Sequence, residues 1–455
     1  MNASEPQDDP LQAQPSSFSY FARLRIIFGS RNFVVILVTN YTGLFFLAAF
    51  IYLNLFFRDI GISYFELGIA NSWGMAVGLF GTLLGGYWAD FAGGKFRKPM
   101  AVGNKFIAIF TMLTFAIATD LLGVLLALTF FGIRQFTQSS LEPILYESLP
   151  PEHLGTALSL FTIGGFFGLL GLVLVGILIQ DSFVGGLRAF FLLAAVSMFI
   201  DFLLRLFFLE DTARAHIAEE KTLKSFVHDI FQDYQIGIKV LVATIPLFLI
   251  IYLTDVVSDI CYGFAQTFFL NEDAGMSYSN INYIMIGATF IGVIGGLFAG
   301  SLLDKSENEA KVMFLAYMFL PVSVFLLLLS PSHPKWITGL PQTELGVVIA
   351  STAFVAVVIK GGNDVVWRTL VFGAVGRKLP REHTGKVTSL LRMLISLIGI
   401  ILMPIAGYIY QTEGGVPLLA TALILNVLIL SALLIGWLRN SHTTVEPTPK
   451  QLIPV

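Results

Sequence analysis

Long apolar runs, separated by short clusters of charged residues, occupy most of the chain. A helix needs about 20 mostly apolar residues to cross the hydrocarbon core of a bilayer. Twelve runs of suitable length, named spans 1 to 12, lie at 33–57, 67–89, 99–119, 121–145, 157–180, 187–208, 243–270, 279–303, 311–330, 346–374, 387–410 and 416–438. A membrane β-barrel would show short alternating segments instead. The sequence therefore predicts an all-α integral membrane protein with one transmembrane helix for each run.

Charged residues are too scarce for a soluble protein of this length. They make up 13% of the 455 residues, whereas soluble domains contain roughly 25%. This scarcity excludes the soluble and the disordered classes of protein. The formal net charge of −3 also leaves no extended basic surface, so we expect no nucleic acid among the partners.

The basic residues are distributed unevenly between the two sets of loops. The side that holds both termini and the even-numbered loops carries most of them, whereas the opposite side carries only Arg58, Arg188 and Lys335. Cytoplasmic loops of membrane proteins are enriched in lysine and arginine. We therefore expect both termini to lie in the cytoplasm, in a multi-pass protein of the cell membrane.

A polar stretch between spans 6 and 7 divides the spans into two equal sets. It is too polar to cross a bilayer, and we interpret it as a linker. The predicted segments are a cytoplasmic N-terminal tail (1–31), a six-helix bundle (32–208), a cytoplasmic linker (209–240), a second six-helix bundle (241–440) and a cytoplasmic C-terminal tail (441–455).

The two halves of the chain are related by an internal repeat, which is the first feature to look for in a chain with this many elements. Four residues that follow span 1 recur 214 positions later, as the pairs Asp59/Asp273, Gly61/Gly275, Ser63/Ser277 and Tyr64/Tyr278. Residues 149–155 recur as 379–385, and both copies contain Pro-x-Glu-His-x-Gly. Glycines alone could recur for helix packing, but the acidic residues and this string would not. Parallel halves of this kind are typical of transporters.

The loop between spans 2 and 3 carries a motif of glycines, an aspartate and basic residues. It runs from Gly86 through Asp90 and Gly93 to the bases Lys95, Arg97 and Lys98. This resembles the Gly-x-x-x-Asp-Arg/Lys-x-Gly signature of the major facilitator superfamily, with Phe91 in place of the first base, and the second half retains Gly300, Asp304 and Lys305. The resemblance covers the whole chain. It implies two pseudo-symmetric six-helix bundles and a gating role, bracing the cytoplasmic side, for Gly86, Asp90, Arg97, Lys98, Gly300, Asp304 and Lys305.

Few polar or ionisable residues lie deep in the spans, where a charge costs about 2.5–3.5 kcal/mol and needs a partner or a water-filled cavity. The deep charges fall on spans 4, 7 and 10. In the family, spans 1, 4, 7 and 10 line the central cavity. The resemblance therefore implies a substrate- or proton-binding role for Asn40, Tyr41, Arg134, Gln138, Glu142, Asp255, Asp259, Lys360, Asn363, Asp364 and Arg368.

The spacing of these residues places them in stripes, because positions four apart share one helix face. The stripes are Arg134–Gln138–Glu142, Asp255–Asp259 and Lys360–Asp364–Arg368. The repeat places Arg134 opposite Asp364 at equivalent depth, which suggests a pair across the cavity or substrate groups between them; the structural alternative adds an ion pair between Lys360 and Asp255. Either these residues bind substrate groups and protons, or they are structural ion pairs that hold the halves together. Asp201 and Arg205 of span 6 are also four apart, and we interpret them as a local ion pair at the membrane edge.

The predicted function is secondary active transport of a small polar, anionic or zwitterionic solute, by alternating access and coupled to protons. Two alternatives stay open: a drug or lipid/lysolipid exporter on the same fold, and a non-transporting membrane receptor. The chain contains no phosphate-binding Gly-x-x-x-x-Gly-Lys-Ser/Thr loop and no His-Glu-x-x-His or paired cysteine motif. We therefore expect no cofactor, no metal and no enzymatic activity. The expected partners are the solute, protons and membrane lipids, and the expected state is a monomer.

Overall fold

A computed structural model describes residues 20–90, 95–149, 164–211, 246–304, 309–337, 343–378 and 381–442, with positions 160, 228, 232, 235, 238, 239 and 242 between them. These residues form α-helices, connecting turns and one isolated β-bridge, between Lys335 and Ser351. Most of the predicted linker and both terminal tails lie outside the described residues. The predicted domain boundaries therefore stay predictions.

Each predicted span corresponds to a helix or to a closely connected pair of helices. In the N-terminal half these are α1 (Arg31–Asp59, with a 3-10 turn at Ala48–Tyr52), α2 (Tyr64–Asp90), α3 (Arg97–Ile117), α4 (Leu121–Gln138), α5 (Gly165–Leu178) and α6 (Phe183–Phe208). In the C-terminal half these are α7 (Pro246–Glu272), α8 (Tyr278–Asp304), α9 (Glu309–Tyr317 and Phe319–Leu329), α10 (Thr352–Lys378), α11 (Arg381–Glu413) and α12 (Val416–His442).

Ten of these helices, within the described ranges, are long and apolar enough to cross a membrane. The other two are α5, whose described part is a shorter apolar helix, and α10, which carries several charged residues. The all-α prediction is confirmed. Span 10 was predicted to begin at 346, but Glu344–Ile349 forms a separate helix and α10 begins at Thr352. Span 4 was predicted to continue to 145, but α4 ends at Gln138 and a separate helix, Leu141–Glu147, follows. The predicted stripe is therefore interrupted before Glu142.

The internal repeat is confirmed by the helix boundaries and by the backbone. Helices α2 and α8 both contain 27 residues, and their first residues are the repeated tyrosines Tyr64 and Tyr278. The loops before them contain Gly61 with φ 97° and Gly275 with φ 65°. Both values lie in the left-handed region, which glycine occupies without steric cost. The two halves thus turn into their second helix with the same backbone geometry.

Glycines bring the second and fourth helices of each half close together. A Cβ atom added to Gly81 of α2 would lie 2.8 Å from the carbonyl oxygen of Gly132 on α4. In the second half, a Cβ atom on Gly361 of α10 would lie 3.0 Å from the carbonyl oxygen of Ala288 on α8. Small residues allow such close approach between membrane helices. This packing fixes α4 and α10, which carry most of the predicted site residues.

The two bundles pack against each other through α2 with α11 and through α5 with α8. Hydrogen bonds cross this interface from the Tyr52 hydroxyl to Asn282 Oδ1 (2.6 Å) and from the Ser72 hydroxyl to the carbonyl oxygen of Ile400 (2.6 Å). Tyr52 is fully buried. The bundles are therefore joined over the half of the interface that is remote from Tyr20 and His442, the two ends of the described chain.

A cluster of polar side chains closes this remote end, which we call the distal end. The distal cluster comprises Arg58, Asp59, Tyr64, Glu272, Tyr278 and Tyr410. Arg58 forms an ion pair with Glu272 of the other bundle. The Tyr64 hydroxyl donates to Glu272 Oε1 (2.5 Å), and the Tyr278 hydroxyl donates to Asp59 Oδ2 (2.5 Å). The repeated tyrosines therefore each bond an acid of the opposite bundle.

We expect the variant Glu272→Gln to loosen the distal end, because the neutral amide loses the charge that Arg58 and two tyrosines contact. Charge-assisted bonds of this type contribute about 1.5–3 kcal/mol, so the separated state should gain roughly tenfold in population. In a Cys261→Ala background, a cysteine at the buried interface position Asn282 (Asn282→Cys) reports this opening. Its rate of maleimide labelling should rise by about the same factor.

The matched control is Glu413→Gln, which removes an exposed carboxylate from the end of α11. It should leave the labelling rate unchanged. Equal labelling of the Glu272→Gln and Glu413→Gln proteins would show that the distal cluster does not hold the bundles together.

The predicted gating loops lie at the opposite end, and the structure describes them only in part. Arg97 forms an ion pair with Glu147 (2.5 Å), within the N-terminal bundle, and Lys98 is half-buried. The side chains of Gly86, Asp90, Gly300 and Asp304, and the whole of Lys305, lie outside the described residues. The gating role of these loops stays a prediction.

Candidate functional site

Charged side chains from α7 and α10 meet in the interior of the C-terminal bundle. Lys360 is 4% exposed, and its Nζ donates to Asp259 Oδ1 (2.8 Å) and to Asp364. The guanidinium of Arg368 is 3.6 Å from Asp259 Oδ2, and this side chain is 67% exposed. The stripe on α10 therefore faces the stripe on α7. A buried lysine between two carboxylates is compensated, because each ion has a partner within bonding distance.

The predicted pair between Lys360 and Asp255 is wrong. Asp255 instead accepts a hydrogen bond from the Tyr317 hydroxyl (2.8 Å) and another from Trp367 Nε1 (2.8 Å). Lysine reaches Asp259, one helical turn further along α7. Asp255 and Asp259 share a face of α7, so their spacing in sequence did not distinguish them.

Two further polar residues extend the contacts of Asp255 into the bundle. The Tyr317 hydroxyl also lies 2.8 Å from Asn426 Oδ1, which accepts a hydrogen bond from the Ser258 hydroxyl (2.7 Å). All of these side chains are buried. Asn426 lies on α12, and it was not among the residues predicted for the site. A single asparagine in a strongly apolar helix was the available signal, because polar groups inside a membrane need a partner.

In the N-terminal bundle, Arg134 lacks a side-chain partner for one of its buried donors. Its Nε is buried and has no hydrogen-bond acceptor among the described residues. The predicted pair with Asp364 is also wrong: within the same ranges no ion pair joins them, and Asp364 contacts Lys360. A buried donor without an acceptor costs about 1–3 kcal/mol. A ligand or a water molecule that supplies the acceptor would recover this energy.

A second charged cluster lies behind Arg134, and the sequence analysis missed its central residue. Lys105 of α3 is 2% exposed, and it donates to Asp201 Oδ2 (2.7 Å) and to the carbonyl oxygen of Thr39 (2.6 Å). Arg205 donates to the Thr39 hydroxyl (2.9 Å) and to the carbonyl oxygen of Ala101 (2.9 Å). The interpretation of Asp201 and Arg205 as a local ion pair at the membrane edge was therefore wrong. Asp201 of α6 instead forms its ion pair with Lys105 of α3.

The charge in this cluster is unbalanced. Lys105, Arg205 and Arg134 all lie within electrostatic range of Asp201, the one carboxylate described among them. Positive charge in a low-dielectric interior attracts anions far more strongly than it would in water. Among the described residues, positive charge therefore exceeds negative charge around Arg134.

The remaining predicted residues have varied surroundings. The Tyr41 hydroxyl donates to the carbonyl oxygen of Leu160 (2.5 Å), and its ring stacks on Phe167 at 4.6 Å. Asn363 is buried, and its Nδ2 has no acceptor in the described part of the chain. Asn40 is half-buried and Gln138 is exposed. The side chain of Glu142 lies outside the described residues.

The two bundles contain buried N–H donors without acceptors, and carboxylates of which some are paired with a cation among the described residues and some are not. Arg134 and Asn363 lie on α4 and α10, the fourth helices of the two halves, and each has a buried N–H group without an acceptor. Such groups suit a solute that is rich in acceptor oxygens. The acids on α7 and α10 can hold or release protons.

Sequence comparison gives both a family and a relative. A sequence model of the Major Facilitator Superfamily matches residues 33–397. The chain is 25% identical over 294 residues to the cis,cis-muconate transport protein of Acinetobacter baylyi, and this alignment spans 60% of the chain. It covers 66% of the relative, which is just under two thirds of its length.

Structural comparison supports the same assignment. The fold is similar to that of a D-xylose–proton symporter, with a TM-score of 0.65 and 12% identity over 91% of this chain and 97% of that one. It is also similar to the nucleoside transporter NupG, with a TM-score of 0.63 and 14% identity over 89% and 98% of the two chains. At these identities the likeness establishes the fold, and it confirms the predicted fold class. The chain belongs to the major facilitator superfamily of membrane transporters.

Proposed function

We propose that this protein is a secondary transporter that moves a small organic anion across the membrane together with protons. The two bundles would alternate between a state open at one end and a state open at the other, with the solute bound between them. The observation that carries this proposal is the buried, unpartnered Nε of Arg134 within an excess of positive charge.

A carboxylate is the solute group that best fits Arg134. Guanidinium groups bind carboxylates through paired, charge-assisted hydrogen bonds. The muconate transport protein is a relative of this chain, and cis,cis-muconate is a dicarboxylate. Its second carboxylate would contact the exposed guanidinium of Arg368, or the amide of Asn363, whose Nδ2 has no acceptor among the described residues, on the facing bundle. A solute bound in this way contacts both bundles, as alternating access requires.

The distal cluster supports a particular conformation for the described state. Since it joins the bundles at the end remote from the termini, the binding site would be reached from the end that holds the termini. With the orientation predicted from the basic residues, this is the inward-facing state, closed to the outside. The acids on α7 and α10 would exchange protons with water as the site changes side.

The proposal is tested by uptake into proteoliposomes with an alkaline interior. Labelled cis,cis-muconate is the probe, and competitors are added at equal concentration. We expect the unlabelled dicarboxylate and benzoate to compete. The neutral muconate diester should compete at least tenfold less well, because it offers Arg134 no charge. An uncoupler that collapses the pH gradient should abolish accumulation.

Other results of this competition assay would favour one of the alternative functions. Equal inhibition by the diester, or by a lipophilic cation, would contradict anion selectivity and favour drug export. Lysolipid competition without muconate competition would favour lipid export. Muconate binding without any flux would favour the receptor.

A further inference from the structure

One carboxylate in the C-terminal bundle differs from its neighbours in its partners. Asp259 and Asp364 both contact the ammonium of Lys360. Asp255 is 6% exposed. Among the described residues, it forms no ion pair, whereas its neighbours on α7 and α10 do. Its two donors, Tyr317 and Trp367, are neutral. A buried carboxylate without a cation is the least costly one to protonate.

The hydrogen bonds around Asp255 accommodate both of its protonation states. The Tyr317 hydroxyl has one proton but two acceptors at 2.8 Å, Asp255 Oδ1 and Asn426 Oδ1. When Asp255 is ionised, the tyrosine proton points to the carboxylate, and Asn426 keeps the bond from Ser258. When Asp255 is protonated, its own O–H donates to the Tyr317 oxygen, and the tyrosine proton turns to Asn426. Asp255, Tyr317 and Asn426 therefore each keep a hydrogen-bond partner in both protonation states.

We propose that Asp255 is the group that carries the coupled proton, and that Tyr317, Trp367 and Asn426 position it. This inference rests on the proposed proton-coupled transport and narrows it to one residue. A proton from water on the side of higher proton concentration forms an O–H bond with one Asp255 oxygen. After the bundles change state, that bond breaks and the proton returns to water on the other side. One proton crosses in each cycle, and no other bond is made or broken.

Asp255 is connected to the charged groups that hold the solute. The charged groups within its electrostatic range are Asp259 on α7 and Lys360 and Arg368 on α10. Helices α9 and α12 present the neutral Tyr317 and Asn426. On α11, Arg392 lies in range of Tyr252, one turn before Asp255 on α7. The local set on α7 and α10 has three acids and two bases, so protonation of Asp255 balances its charge.

Protonation also changes how tightly the helices are joined. An ionised carboxylate accepts hydrogen bonds about twice as strong as those of a neutral one. Ionised Asp255 therefore binds α9 through Tyr317 and α10 through Trp367, next to Arg368. Protonated Asp255 holds both helices more weakly. The proton thus affects the helix that carries the predicted anion-binding residues of this bundle.

The first test uses infrared spectroscopy on the full-length protein and needs no solute. We expect a protonated-carboxyl band that appears already above about pH 6, where exposed carboxylates are still ionised because their ordinary pKa values are near 4. It should be absent in Asp255→Asn and present in Asp259→Asn. Tyr317→Phe removes a donor to the ionised form, so the midpoint of the band should move by about one pH unit towards alkaline values.

The matched control is Tyr262→Phe, because the buried Tyr262 hydroxyl on α7 has no hydrogen-bond partner in the described chain. Its midpoint should stay in place. A band that survives in Asp255→Asn would overturn the proposal, and so would equal midpoints for the two tyrosine variants. The expected alkaline shift of the midpoint in Tyr317→Phe would identify Tyr317 as a positioning residue, since loss of packing alone would not move a titration.

The second test measures transport in proteoliposomes with cis,cis-muconate. Tyr262→Phe should accumulate the probe at the wild-type level, whereas Asp255→Asn should lose accumulation driven by a pH gradient by at least tenfold. Accumulation by Asp255→Asn at the wild-type level would contradict the assignment of Asp255 alone. Wild-type protein that never accumulates the probe would contradict the proposed function, whereas the infrared titration still decides whether Asp255 takes up a proton.

Discussion

The Arg134→Ala protein is expected to lose at least about 100-fold in affinity for cis,cis-muconate while it retains its fold. Truncating one partner of a buried, charge-assisted pair costs about 2–5 kcal/mol, and each 1.4 kcal/mol is a factor of ten in affinity. Arg134→Lys should recover only part of this loss, since an ammonium lacks the planar fork that a carboxylate binds. Affinity is measured by equilibrium binding in detergent, where transport steps do not enter.

The chain offers a matched arginine for this experiment. Arg188, near the start of α6, also has a buried Nε without a partner among the described residues, and one of its other nitrogens donates to the carbonyl oxygen of Ala118 (2.9 Å). It lies outside α1, α4, α7 and α10. Arg188→Ala should therefore bind muconate normally. If the two alanine variants bind equally well, Arg134 is not the anion site.

The Asp201→Asn substitution should have the largest effect on stability. It removes the carboxylate that Lys105 contacts and leaves Lys105, Arg205 and Arg134 in one apolar interior. Breaking a buried ion pair from one side costs about 3–5 kcal/mol. We expect a loss of about 3 kcal/mol in the free energy of unfolding, measured by denaturant titration in detergent with a reporter in the N-terminal bundle.

Removing the pair from both sides distinguishes charge from packing. The double variant Lys105→Met/Asp201→Leu should recover more than half of the loss, because no unpaired ion from this pair remains buried. Asp181→Asn, in the exposed turn before α6, is the neutral control. If Asp201→Asn and Asp181→Asn unfold at the same denaturant concentration, the Lys105–Asp201 pair does not contribute to stability.

The sequence was sufficient for the helices and the repeat. Long apolar runs are a strong signal, because the bilayer imposes one length on every crossing. Arg134, Asp259, Lys360 and Asp364 were found because charges inside a membrane are rare. The match to a known signature added the arrangement of the spans, which composition does not contain.

The pairing of these charges was beyond the sequence. Asp255 and Asp259 lie on one face of α7, so the partner of Lys360 depends on the axial position of α10, which packing against α8 determines. Lys105 was missed because one lysine among apolar residues near the start of a span is usually able to reach the interface with its long side chain. Its carboxylate partner lies 96 positions away on another helix.

The closed distal end distinguishes two halves that are otherwise repeats of each other. The Tyr64 hydroxyl contacts Glu272 and the Tyr278 hydroxyl contacts Arg58, so the repeated tyrosines exchange contacts as in a two-fold interface between identical subunits. Arg58 and Glu272 occupy equivalent positions of the repeat, however, and they carry opposite charges. A six-helix unit paired with a copy of itself would bring two arginines or two glutamates together there, and like charges reject a wrong partner. The Arg58–Glu272 contact therefore makes each half complementary to the other half and not to a copy of itself.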